Sequence, residues 1–374
     1  MLTIDVTIIG GGIVGCATAA AVASPGRSVV LLERHDRLAA GTTSRNSEVA
    51  HGGMYYPPGS RKARWCVEGR RLLKQFCADA GVGWRDVGKL IVAADADGEA
   101  ELQRLLERGR ENGVEGLRLV GRDELRRLEP AVAGAAALFS PATAVFDAEG
   151  AARALARRAV DAGAQVLTAA AVTALAPAPG GWDVTVARGG ETWTHRSRRV
   201  VNAAGLEADT VAAMAGLDPD ALGLRQHWVR GSYFAVDPRH AGRLRHLVYP
   251  VPDPRVDTLG VHVCLDLAGQ VRLGPDYEPL PRRVEDYRVD PARGALFFAE
   301  ASPLLPFLEP DDLSPAFAGI RPKLGVTGFH DFVVRREEGE FAGLVNLVGI
   351  DSPGLTSSMA IARAVARLLD GEEA

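Results

Sequence analysis

The feature that most constrains this chain is Gly10-x-Gly12-x-x-Gly15, set between the β-branched run Asp5-Val6-Thr7-Ile8-Ile9 and an alanine-rich stretch that ends at Ser24-Pro25-Gly26. That order predicts strand, tight turn and helix. A second apolar strand, Ser28-Val29-Val30-Leu31-Leu32, then ends on the acid Glu33. Strand, glycine turn, helix, strand and acid together form the dinucleotide fingerprint of a parallel α/β sheet. Each part has a physical task. Gly10 permits the sharp turn, Gly12 lets the main chain approach a pyrophosphate, and Gly15 lets helix and strand pack closely. Ile13 and Val14 open the helix, whose unpaired N–H groups and positive dipole end face the phosphates. Glu33, with Arg34 beside it, accepts ribose hydroxyls and repels a 2′-phosphate, which disfavours NADP.

The same region imitates a membrane segment, because Val6 to Gly26 is uncharged and Ala21-Val22-Ala23 resembles a signal cleavage site. Asp5 stands where a positive flank belongs, no Lys or Arg precedes the run, and four glycines dilute it, so neither a span nor a signal is expected. A chain of 374 residues, 47% hydrophobic and 24% charged, is not disordered and is long enough for two or three domains, or for one large fold with an inserted second domain. A net charge of −4 supplies no basic field for nucleic acid. Cys16, Cys66, Cys77 and Cys264 are scattered, which supports neither a disulfide framework nor a metal site and fits a reducing, cytoplasmic compartment. Lysine occurs only at Lys62, Lys74, Lys89 and Lys323, and the preference for arginine reads as compositional drift.

The stretch from Ala40 to Gly59 separates NAD from FAD. It is dense in small polar residues, with too little apolar content to order itself, so it needs something to wrap around. Thr43, Ser44, Asn46 and Ser47 are placed to hold a pyrophosphate and ribityl chain, and Gly52-Gly53 to let a flat ring lie against the main chain. Further on, helices are expected over 62–80, 99–112, 122–128 and 149–162, with a strand at 88–94 and another at 164–167 running on through Val172. A hairpin pairs 182–186 with 191–195 about Gly189-Gly190, and a separate buried strand from Arg199 stops at Ala204-Gly205 on the cofactor crevice.

From 222 to 283 the pattern changes to short strands with Pro-rich connections: 231–236, 247–249, 259–264 and 270–274. This predicts an antiparallel sheet, followed by helical stretches at 291–301 and 303–308. The chain returns with a strand at 344–348, a Gly/Pro turn through Gly354, Leu355 and Thr356, and an amphipathic helix whose N-terminus would stabilise negative charge on a reduced flavin. The expected fold is α/β with an α+β substrate domain. A Rossmann-like FAD-binding domain is drawn from 1–83, 147–216 and 328–374, and an antiparallel-sheet substrate-binding domain from 84–146 and 217–327.

The chain resembles the FAD-dependent oxidoreductases of the D-amino-acid oxidase-like superfamily and, within it, is most similar to the L-2-hydroxyglutarate dehydrogenase/oxidase family. The carriers are the N-terminal fingerprint, Thr43 to Val49 through His51, Tyr55-Tyr56-Pro57, Arg230-Gly231-Ser232-Tyr233, Tyr249-Pro250-Val251-Pro252, Leu259 to His262, Gly274-Pro275, Gly319-Ile320-Arg321-Pro322-Lys323 and Gly349 to Thr356. The resemblance implies non-covalent FAD and oxidation of an (S)-2-hydroxy acid, L-2-hydroxyglutarate or similar, to the 2-oxo acid. Glycine or sarcosine oxidation and a glycerol-3-phosphate dehydrogenase-like reaction are the alternatives, the latter suggested by His51-Gly52-Gly53. Electrons would leave to a quinone, a carrier protein or O2, and peripheral contact with the inner face of a membrane is compatible with the absence of a span.

Such a reaction requires a carboxylate clamp, a base and a dry flat surface. Arg321 is the clamp, since its planar fork fits a carboxylate bidentately. His262, on a strand of the substrate wall, is the favoured base, and His51, against the flavin, the alternative; without the resemblance, a lone His on an apolar strand is more often a core residue. Tyr56 and Tyr249 either hydrogen-bond the substrate or simply pack. Lys323 adds positive potential near the ring or a distal carboxylate. His35, His195, His227, His240, His246 and His330 are read as surface or loop residues.

Overall fold

The computed structural model describes residues 2–252 and 260–372. The expected strand at 259–264 therefore begins, at Leu259, outside the described residues. An eight-stranded sheet is centred on Thr3–Ile9, which runs parallel to Val29–Leu32 on one side and to Glu191–Asn202 on the other. Gln165–Leu167 extends it beyond Val29–Leu32, and Leu344–Val348 pairs in parallel with the end of Glu191–Asn202. The four apolar residues of Val29–Leu32 are all buried, as expected for a parallel strand covered on both faces.

The hairpin differs from expectation. Glu191–Asn202 is one continuous strand, pairing antiparallel with Gly181–Arg188 over its first half and parallel with Thr3–Ile9 over its second. Burial alternates through the first part, with His195 and Ser197 buried between more exposed neighbours, and gives way to the fully buried Val200, Val201 and Asn202 where the strand enters the central sheet. His195 is accordingly a correction to the sequence reading. It is buried, its Nε2 lies 3.0 Å from the Thr7 hydroxyl, and burial pushes its imidazole pKa down. His240 is buried as well, 3.0 Å from Asp312.

Helices Ile13–Val22, Ala148–Asp161 and Gly354–Asp370 cover one face of this sheet, with Arg61–Ala80 packed outside the last. Their buried faces are rich in small residues, alanine above all in Ala148–Asp161 and alanine, glycine and serine in Gly354–Asp370, so the helix axes approach closely. Ser60 caps Arg61–Ala80 by accepting from the Ala63 N–H at 3.2 Å, and Gly81, in the left-handed region, ends it. Among the described residues, no helix is long and apolar enough to cross a membrane.

A second, nine-stranded sheet is mixed but mostly antiparallel. His227–Val236 pairs along its whole length with Leu313–Lys323, and the sheet continues through Val271–Leu273, Val263–Leu265 and Leu247–Pro250. Lys89–Ala93 then joins in parallel to Leu247–Pro250, followed by Ala136–Ser140 and Arg118–Gly121. The last two strands were not expected from the sequence. Residues 303–308 form turns rather than the expected helix, with Leu304, Leu305 and Leu308 filling the core below the sheet.

At the crossing of Arg61–Ala80 with Gly354–Asp370, a Cβ on Gly69 would stand 2.5 Å from the Thr356 carbonyl oxygen and 2.7 Å from the Ser357 Cα. Backbone cannot yield cheaply there. Gly69→Ala is therefore expected to destabilise the fold by about 1–3 kcal/mol despite its higher helix propensity, read from denaturant unfolding; a more stable variant would refute this packing argument.

Candidate active site

A cavity of about 910 Å³ is lined by residues of both sheets and by the loops that cross between them. One end is the glycine turn. A Cβ on Gly10 would lie 2.3 Å from the Ala203 carbonyl oxygen, and one on Gly15 only 1.9 Å from that of Gly10. Gly10, at φ +111°, and Gly15 are thus fixed by close approach, whereas Gly12 faces the opening, with Thr43 Oγ1 its nearest neighbour. No side chain caps Ile13–Val22 at Gly12, so its first-turn N–H groups are left largely for a ligand, apart from Ile13, which donates to Thr43 Oγ1 at 3.1 Å. Glu33 sits at the edge of the second strand and accepts from the Gly11 N–H at 2.6 Å and the His35 N–H at 2.8 Å. These two bonds aim the carboxylate into the cavity. Arg34, also lining it, is ion-paired with Glu285.

The structure brings Gly10, Gly12, Ile13, Val14, Glu33, Arg34, Thr43, Asn46, Ser47, His51, Val172, Ala204, Gly205, Gly354 and Leu355 to this one surface. Gly15, Ser44, Gly52, Gly53 and Thr356 stand behind it. Gly52 packs on Met54, Ser140 and Val114, and Gly53, at φ +104°, on Val67 and Cys66, so both serve the route of the loop. Ser44 bonds back to the carbonyls of Ala40 and Gly41. Thr356 works from behind, accepting from the His51 N–H at 3.0 Å and donating to the Val49 carbonyl at 3.3 Å. The helix Gly354–Asp370 also has no side-chain cap, which places a second open N-terminus on the same cavity.

At the other end, Tyr56, Tyr249, His262, Arg321 and Lys323 all line the cavity. His262 is buried and lies flat on Tyr249, ring centroids 3.8 Å apart and planes within 8°. The Arg321 Nη2 donates to the carbonyl of Asp276 at 2.8 Å, while Nε is buried without a hydrogen bond among the described residues. The position of this guanidinium is set by its strand. A Cβ on Gly319 would lie 2.0 Å from the Arg45 carbonyl oxygen, and the Thr42 hydroxyl donates to the Ile320 carbonyl at 3.0 Å, so the strand is held in register against the 42–45 loop. His51 also lines the cavity, with Nδ1 unpartnered among the described residues; burial, and then the charge of Lys89, push its imidazole down to about 3.

Lys62 is a participant that the sequence reading missed. Its Nζ lies 2.6 Å from Asp351, both side chains are nearly buried, and Lys323 approaches the same carboxylate at 3.4 Å. Two lysines on one aspartate leave an excess positive charge at the cavity. The Lys323 amine is held below its ordinary pKa mainly by burial, which Asp351 opposes and Lys62 and Arg321 reinforce.

Residues 5–368 match the family described as FAD dependent oxidoreductase. The chain belongs to this family. It is 36% identical to the mitochondrial L-2-hydroxyglutarate dehydrogenase of Arabidopsis thaliana over 97% of this chain and 83% of that one. The corresponding protein of Pongo abelii is 34% identical over 97% and 86%. Among solved structures, the FAD-bound L-alpha-glycerophosphate oxidase of Mycoplasma pneumoniae aligns with a TM-score of 0.89 and 28% identity, covering 100% of this chain and 96% of that one. FAD is the non-covalent cofactor, and the glycine turn, the aimed Glu33 carboxylate and two uncapped helix N-termini on one elongated cavity fit its sugar, its phosphates and an electron-rich ring. The paired carboxylate beside this site is structurally exposed to mutation. Asp351→Asn leaves Lys62 buried without its counter-charge and is expected to lower stability by about 3–5 kcal/mol, measured by denaturant titration of the holoprotein; a loss below about 1 kcal/mol would mean that Lys62 readily reaches water.

Proposed function

We propose that this flavoprotein oxidises an (S)-2-hydroxy acid of the L-2-hydroxyglutarate type to the 2-oxo acid. The observation that carries this reading is Arg321, a partly buried guanidinium whose Nε is buried without a partner among the described residues, in the same cavity as two histidines and the cofactor cradle. A guanidinium already partly desolvated binds a carboxylate strongly, because less solvation is left to lose. Lys323, with the excess charge it shares with Lys62 and Asp351, suits a second carboxylate on the substrate. The relatives named L-2-hydroxyglutarate dehydrogenase support the same substrate class.

Bound FAD supplies the two-electron acceptor for the hydride that leaves the α-carbon. The protein must take the hydroxyl proton as the carbon–oxygen double bond forms. His262, the base favoured from the sequence, lies stacked on Tyr249, whereas the unpartnered Nδ1 of His51 favours that residue as the acceptor. An imidazole depressed to about 3 is unprotonated at any working pH, and the arriving substrate carboxylate raises its basicity towards the useful range. Tyr249 and His262 form a flat wall that orients the substrate and excludes water. Cofactor binding is assigned to 1–83, 147–216 and 328–374, and the substrate wall to 84–146 and 217–327.

Anaerobic mixing of the holoenzyme with (S)- and (R)-2-hydroxy acids, amino acids and glycerol 3-phosphate tests the reading. Bleaching of the flavin by the (S)-2-hydroxy acids is expected, and bleaching by amino acids or glycerol 3-phosphate instead would replace it. Arg321→Ala is expected to cost about 2–5 kcal/mol in kcat/KM through the lost charge pair; near-unchanged kinetics would remove Arg321 as the clamp.

A further inference from the structure

Lys89 takes no part in the scheme above, yet it is the least expected side chain near the cavity. It begins the strand Lys89–Ala93, all five residues of which are buried, and it is itself 0% exposed. Among the described residues its Nζ makes no hydrogen bond and no ion pair. It faces instead two aromatic rings, 4.6 Å from the centroid of Tyr55 and 4.5 Å from that of Tyr249. Both tyrosines line the cavity and Lys89 does not, so the amine stands directly behind the wall. His262 covers one face of Tyr249, which leaves the other to Lys89.

The groups that face this amine carry no compensating charge. Tyr55 and His51 come from the 51–56 loop, Cys66 from the helix Arg61–Ala80, Tyr249 from Leu247–Pro250, and Cys264 from Val263–Leu265; the strand paired on its other side presents Ser140 opposite it. Burial pushes both thiols up to about 12 and both phenols above their ordinary range, so all four are neutral. A methionine would fill the same space with no charge to desolvate, and the two cation–π contacts offset only part of that cost. The charge must then matter to something nearby.

We infer that Lys89 is a positioning residue: its buried ammonium, acting through the aromatic wall, draws an anionic substrate into the cavity and keeps the proton off His51. The second effect is direct repulsion between the ammonium and an imidazolium. The first follows because a charge in a low-dielectric wall is felt by an anion on the far side of one ring. Burial lowers the Lys89 amine to about 7, with the nearby thiols opposing the shift, so its charge is present below neutrality and lost above it. Anion binding should therefore weaken as the pH rises through 7.

The inference rests on the proposed anionic 2-hydroxy-acid substrate, and binding can be tested apart from turnover. The probe is 2-oxoglutarate, titrated into oxidised holoenzyme and followed by the flavin spectrum from pH 6 to 8.5. Wild type is expected to bind about tenfold more weakly at the upper end. Lys89→Met is expected to lose that dependence and bind weakly throughout, whereas Lys89→Arg, charged at every pH, binds tightly throughout. Lys89→Met should also melt higher than wild type, because a desolvated charge has been removed. A Met variant that keeps the wild-type pH dependence, melts lower or fails to fold overturns the inference. Wild type that binds 2-oxoglutarate with the stated dependence but is bleached by no hydroxy acid overturns the reaction and leaves the role in anion binding supported. Absence of binding by the wild type overturns both.

Discussion

The structure depends on how closely Gly354–Asp370 can approach the first third of the chain. At Gly69 there is no room for one additional carbon atom, and just beyond it Thr356 joins the His51 N–H to the Val49 carbonyl. This contact brings residues separated by about three hundred positions to the same cavity. It places an open helix N-terminus, the Asp351 carboxylate and the His51 imidazole around one volume, and each would be misplaced if the helices stood further apart.

A second constraint is electrostatic. Lys62, Lys89, Arg321 and Lys323 are taken largely out of water around one cavity, and Asp351 pairs with two of them. Such an arrangement is unfavourable in the empty protein and becomes favourable when an anion arrives, so the charge imbalance itself selects for negatively charged ligands. Burial holds the Lys323 amine and the His51 imidazole low, with Lys62 and Arg321 adding to the effect at Lys323 and Lys89 at His51, which leaves His51 free of its proton in a site where a proton must be accepted.

Much of the cofactor end was legible because its requirements are local. A turn that admits only glycine and a strand ending on an acid are written in consecutive residues, and Gly10, Gly12 and Glu33 stand where the spacing put them. Gly52 and Gly53 carry the same local signal for a different reason, the packing of their loop on Met54, Val114 and Val67, which sequence spacing does not distinguish from contact with a ligand. The substrate end is assembled from distant segments. Lys62 looked like an ordinary helix-start residue, and Lys89 an ordinary strand residue, because burial is a tertiary property. One compositional signal was available: the chain has four lysines, and Lys62, Lys89 and Lys323 gather here, so the scarcity read as drift also picks out three residues around one cavity. His195 escaped for a related reason, since a polar residue in a hairpin looks solvent-facing until the strand is seen to continue into the central sheet.

That continuous strand has a consequence for how the molecule is made. Glu191–Asn202 is zipped on one edge to a hairpin partner only a few residues away and, at its end, to Leu344–Val348, and on the other edge to Thr3–Ile9. During synthesis the hairpin can form at once, whereas the neighbouring position at residues 200–202 stays open until residues 344–348 have left the ribosome. For that interval a nascent chain displays an unpaired edge at these residues, which the fold covers only when its last strand arrives.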